Sequence, residues 1–205
     1  LACAVLFGCF SGFTKKTALA DESFNFQSKS AYLCDGISGQ VVYAKNEEQR
    51  LPIASMCKIM TLLLSFEEID KGNLSLDEQI VVSENASGMG GSQVFLETNA
   101  KYMVGELLKG IVVASANDAC VAMAERISGS EQAFIDKMNQ KACELGMLNT
   151  NFVNCTGLPK PGQYSTAKDV AKMFSELIKH NDYFRFSKIW TDKIAHPNNR
   201  FTEIS

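Results

Sequence analysis

From Ser55 to Lys71 the chain contains no glycine or proline, and it is apolar nearly all round as far as Ser65. A helix without a polar face has to lie inside a core, with other elements packed on every side. The rest of the protein must therefore be built around this stretch. Gly72-Asn73 supplies the stop. Pro52 disfavours helix at Leu51, which puts the start near Ala54 or Ser55. Ser55 and Lys58 then share one helical face, a turn apart.

That pairing has chemical content. An alcohol is a poor nucleophile until a neighbouring base removes its proton, and an amine one turn away can take that role. Backbone N–H groups in the first helical turn also favour a developing oxyanion. The plain alternative is that Ser55 caps a core helix while Lys58 runs its stem out to solvent. Ser-x-x-Lys is common by chance, so the spacing alone decides nothing.

Composition narrows the setting. Of 205 residues, 46% are hydrophobic and 21% charged, with a formal charge of −3, as in ordinary globular proteins. No basic run or basic-aromatic stripe occurs, which argues against a nucleic-acid partner. Leu1 to Phe13 is almost wholly apolar and Ala18-Leu19-Ala20 follows. This pattern predicts a secretory signal peptide over residues 1–20, its start missing, cut before Asp21. It is too short to cross a bilayer, which takes about 20 apolar residues. The expected location is extracytoplasmic.

Cys34, Cys57, Cys120, Cys143 and Cys155 follow that segment at wide spacing, and no Cys-x-x-Cys is present. His180 and His196 lie far from any acidic pair. A zinc site is unsupported, and the cysteines read as small buried thiols in preference to disulfides.

Along residues 21–205, Ser30 to Cys34 and Gln40 to Ala44 read as a hairpin across Asp-Gly and Ser-Gly turn residues. Ile80-Val81-Val82 is a short strand candidate, and Ser87 to Ser92 a flexible loop. Met103 to Ala114 and Ala119 to Ile127 read as helices joined through Ser115-Ala116-Asn117-Asp118. Such a corner would project Ser115 and Asn117 from a rigid support, although these are also ordinary capping residues. Ser130 to Leu145 is a further helix. Asn149 to Gly162 is irregular, and Ser165-Thr166 caps a last clear helix to about Lys179. No repeat or linker divides the chain, and a strand pair followed by helices predicts an α+β fold.

Several stretches together resemble the D-alanyl-D-alanine carboxypeptidases, low-molecular-mass penicillin-binding proteins of the serine peptidase group with the β-lactamase/transpeptidase-like fold. They are Pro52 to Thr61, Gly91-Ser92-Gln93-Val94-Phe95-Leu96 and Ser115-Ala116-Asn117-Asp118-Ala119. Met138-Asn139 with Ala142, Leu145-Gly146-Met147, Asn154 with Gly157-Leu158, and Tyr164 to Asp169 follow in the family's order. The resemblance implies that Ser55 is the acylated nucleophile and Lys58 its proton acceptor. Ser115 would link the lysine to the leaving group, and Asn117 would bind the amide backbone of the substrate. It implies removal of the terminal D-alanine from peptidoglycan stem peptides, acylation by β-lactams, and no metal or other cofactor. Members of the family often carry a C-terminal amphipathic anchor, so membrane association would run through a region not present here.

The family's third motif, Lys-Thr-Gly, does not occur; Lys16-Thr17 is followed by Ala18. The expectation is one catalytic domain over 21–205, truncated at its C-terminal end, with an incomplete antiparallel sheet and an inactive site as it stands. Two rival readings are a class A-like β-lactamase, against which Ala116 counts, and an exported peptide-binding protein without catalysis.

Overall fold

The breaker-free run folds as a 3-10 turn, Ala54–Cys57, leading directly into helix α1, Lys58–Asp70. The computed structural model describes residues 26–205, so the signal-peptide reading of 1–20 lies outside the described residues. Met60, Leu63, Leu64 and Phe66 of α1 are at most 1% exposed. Lys71 caps the helix and Gly72, at φ +75°, turns the chain away, as its sequence predicts.

Strands β1 (Ala31–Cys34) and β2 (Val41–Lys45) form the expected antiparallel hairpin, with a register irregularity between Leu33 and Cys34. Strand β3 (Gln79–Val81) comes next, then the short helix α2 (Glu84–Ser87) and strand β4 (Lys101–Met103), which pairs with β3. Helices α3 (Val104–Ala114), α4 (Asn117–Ser128) and α5 (Glu131–Glu144) follow. Helix α6 (Ala167–Leu177) and the short α7 (Tyr183–Ser187) lead to a hairpin of β5 (Asp192–His196) and β6 (Arg200–Ile204).

Helix α1 packs against α6, α4, α5 and α3, and α4 packs against α3 and α5. Helix α4 is a second central helix that its polar start concealed: every residue from Asn117 to Ala124 is buried. Its small residues, Ala119, Ala122 and Ala124, let neighbouring elements come close on all sides. Two N-caps behave as the local sequence requires. Ser130 Oγ accepts from Ala133 N–H at 3.1 Å, and Thr166 Oγ1 from Asp169 N–H at 3.1 Å.

The fold is α+β, and among the described residues the strands stand in three antiparallel pairs. Helix α7 and the β5–β6 hairpin make up most of the chain beyond Asn181. Pro197–Asn199 links those two strands as a 3-10 helix. None of the described helices is long and apolar enough to cross a membrane.

Candidate active site

The 3-10 turn sets Ser55 at the mouth of the core helix: Ser55 is exposed, while Lys58 is 4% exposed. The Lys58 Nζ lies 3.2 Å from Ser55 Oγ and donates to the Thr156 carbonyl at 2.6 Å. The solvent-seeking alternative for Lys58 is thereby excluded. No side-chain cap bond is made at the start of α1 either.

The irregular stretch from Asn149 to Gly162 is folded tightly onto this helix start. Three successive carbonyls accept from it: Asn154 from Cys57 Sγ at 3.3 Å, Cys155 from Thr61 Oγ1 at 2.8 Å, and Thr156 from Lys58. Gly157, at φ +85°, packs its backbone on Ala54, and a Cβ there would stand 3.0 Å from the Ser55 nitrogen. Ala54 itself is held at φ +46°. Upstream, Leu51 and Ser165 exchange backbone hydrogen bonds at 2.9 and 3.0 Å, tying the approach to Ser55 onto the start of α6.

Ser115 and Asn117 come from the α3–α4 corner. Ser115 ends α3 in the left-handed conformation, φ 55° and ψ 37°. Ala116, not a polar residue, caps α4, with no side-chain cap bond. Ser115 is thus the C-cap of α3 through its backbone, but neither the Ser115 nor the Asn117 side chain caps α4. Instead, Ser115 Oγ and Asn117 Oδ1 are both buried with no hydrogen-bond partner among the described residues. An unpaired buried polar atom costs about 1–3 kcal/mol, so two at one corner call for a functional reason.

Asn117 also orders the glycine loop that its composition marks as flexible. Its Nδ2 donates to the Gly90 carbonyl at 2.7 Å, and its backbone N–H donates to the Ser92 carbonyl at 2.7 Å. At Gly91 this loop meets both Asn117 and the Leu158 side chain, so the second corner and the Thr156 turn converge there. No direct hydrogen bond joins Lys58 to Ser115 or Asn117 among the described residues. The neighbouring Asp118, fully buried, accepts from the N–H groups of Val94 at 3.2 Å, Leu96 at 3.0 Å and Ala119 at 2.9 Å. Those bonds hold Phe95 at φ +60°, exposed.

Sequence reading alone missed the Thr156 carbonyl, the Asn154 side chain and Asp118. The Asn154, Gly157 and Asn117-Asp118 pattern was the available signal, but spacing could not say what those residues touch. The cysteine expectation needs correction in part. Cys57, Cys120 and Cys155 are buried free thiols, but Cys34 is half-buried and Cys143 is exposed, on the outer side of α5. Burial pushes Cys57 up to about 12, against the nearby Lys58 charge, and raises Cys120 and Cys155 as well. No group of three or more His, Cys, Asp or Glu side chains among the described residues is placed to hold a metal.

Comparison with solved structures places this fold among the penicillin-binding proteins. A D-alanyl-D-alanine carboxypeptidase DacD from Francisella tularensis superposes with a TM-score of 0.78 at 38% identity, over 91% of this chain and 45% of that one. Penicillin-binding protein 6B from Escherichia coli gives 0.82 at 28% identity, over 91% and 60%. The sequence profile of the D-alanyl-D-alanine carboxypeptidases matches residues 14–203, and the chain belongs to that family. It is 48% identical to D-alanyl-D-alanine carboxypeptidase DacF of Bacillus subtilis over 182 residues, which is 89% of this chain and 47% of that protein. Identity to DacC of Escherichia coli is 36%, over 77% of this chain and 41% of that protein. The chain thus spans about half the length of the curated relatives it matches.

Proposed function

We propose that the complete protein is a serine-type D-Ala-D-Ala carboxypeptidase acting on peptidoglycan stem peptides in the cell envelope. The observation that carries this reading is the buried Lys58 amine, 3.2 Å from the exposed hydroxyl of Ser55. Ser55 Oγ attacks the carbonyl carbon between the two terminal D-alanines as Lys58 takes its proton. The C–N bond breaks, and Ser115 passes a proton to the departing amine of the last D-alanine. Water then hydrolyses the ester and releases the shortened peptide. Asn117 holds the backbone amide of the substrate through its carboxamide. The unpaired Ser115 Oγ and Asn117 Oδ1 support these two assignments, because both are desolvated in advance of any substrate contact.

β-Lactams acylate the same serine, since their amide presents the same carbonyl and the leaving group stays tethered. Residues 21–205 belong to one catalytic domain of an exported protein, and any membrane attachment runs through a C-terminal segment. Incubating the complete protein with a fluorescent penicillin and mapping the adduct by mass spectrometry tests the reading. A single adduct on the Ser55 peptide, lost in Ser55→Ala, is the expected result. An adduct elsewhere, or none, sinks it.

A further inference from the structure

The amine of a lysine stands on a flexible four-carbon stem, so its position has to be imposed from outside. For Lys58 the imposing group is the Thr156 carbonyl, 98 residues away in the chain. That carbonyl lies in an irregular buried turn, whose backbone donors need partners that no helix or strand provides. The Asn154 side chain, in a residue 8% exposed, supplies them from both sides. Its Oδ1 accepts from Gly157 N–H at 2.8 Å and Thr156 N–H at 3.3 Å, while its Nδ2 donates to the Leu158 carbonyl at 2.8 Å. The carboxamide thus stands in for the backbone partners of the turn.

Gln163 braces this arrangement. Its Nε2 donates to Asn154 Oδ1 at 3.1 Å, and its Oε1 accepts from Val153 and Asn154 N–H at 3.0 Å each. The shape that Asn154 sets reaches the nucleophile by two routes. Thr156 fixes the Lys58 amine, and Gly157 presses on Ala54, whose backbone carries Ser55.

We propose that Asn154 is a positioning residue for acyl transfer, folding the 154–158 turn that holds Lys58 against Ser55. The inference rests on the carboxypeptidase reading of those two residues. Loss of the carboxamide lets the Thr156 carbonyl move and the amine follow it, and a displacement of about 1 Å at a reacting group can cost about 10²-fold in rate.

The test is the time course of penicillin acylation of the complete protein, over a range of antibiotic concentrations. That separates the limiting acylation rate from the dissociation constant of the non-covalent complex, with the folded fraction fixed by thermal unfolding. Asn154→Ala is expected to lower the limiting rate by about 10- to 100-fold, with a much smaller change in the dissociation constant. Asn154→Asp keeps the acceptor oxygen toward Gly157 and Thr156 and recovers part of the rate. Should Asn154→Ala fail to fold, Gln163→Leu removes the brace alone and gives a smaller fall in the same quantity. A wild-type limiting rate in Asn154→Ala, or in Gln163→Leu if that variant stands in, overturns the inference. So does a loss confined to the dissociation constant, or an Asp variant as slow as the Ala variant. Wild-type protein that takes no label on Ser55 refutes the functional reading instead, and the two failures are distinct.

Discussion

Gly157 lies so close to Ala54 that a Cβ on it would fall far inside van der Waals contact distance of the Ala54 carbonyl oxygen. Gly157 also has φ +85°, a backbone conformation that side chains strain. Neither obstacle is a flexible side chain, so backbone has to give way, and the backbone concerned leads directly into Ser55. Gly157→Ala is expected to lower stability by at least about 2 kcal/mol and to slow acylation of the folded fraction. Urea unfolding beside a penicillin time course measures both. A variant with native stability and native rate would mean the turn is more yielding than its contacts indicate.

Lys58→Arg separates a base from a simple positive charge. The guanidinium remains charged and accepts no proton at accessible pH, and its planar fork does not fit the single site between Ser55 Oγ and the Thr156 carbonyl. Acylation should fall by at least about 10²-fold, the lower end of what general-base catalysis contributes. If the arginine variant is acylated at close to the native rate, the proton acceptor has to be sought elsewhere.

Ser115→Ala should divide stability from activity. The Oγ of Ser115 is buried without a partner among the described residues, so its removal relieves a desolvation penalty of about 1–3 kcal/mol. Unfolding temperature should therefore hold or rise while acylation falls by about 10²-fold or more. Asn117→Ala differs, because it also breaks the 2.7 Å bond to the Gly90 carbonyl and should lower the unfolding temperature. A Ser115→Ala protein that is both less stable and fully active would reverse the assignment.

Acid stability should depend on Glu68, well away from the site. The Lys137 ammonium at 2.8 Å, then Asn73 and Lys71, hold its carboxyl down to about 2 against the opposing effect of burial. An unfolded glutamate titrates near 4.3. A folded-state value below the unfolded one gives stability that is complete above the unfolded value and is lost as pH falls through about 2. Glu68→Gln should thus be less stable than wild type by about 1–3 kcal/mol at neutral pH. The gap should close progressively below about pH 4. Urea titrations at pH 7, 4 and 2.5 would reveal it, and a gap independent of pH would show that the carboxylate charge is not what matters.

Residue order alone determined the parts of this protein that depend on near neighbours. A run without breakers and without a polar face had to become a buried helix, and residues three apart on it had to share a face. The pairing of Ser55 with Lys58 is a consequence of that local geometry. The caps at Ser130 and Thr166 and the first hairpin follow from equally local geometry. Tertiary structure decided whatever depends on partners far along the chain. Helix α4 is central because α1, α3 and α5 enclose it, although Asn117 and Asp118 give it a polar beginning. Lys58 is turned inward by a carbonyl 98 residues distant, and Ser115 is left without a partner by the way two helices meet. Such contacts result from packing among elements whose spacing in sequence bears no relation to their distance in space, so no periodicity or motif encodes them locally.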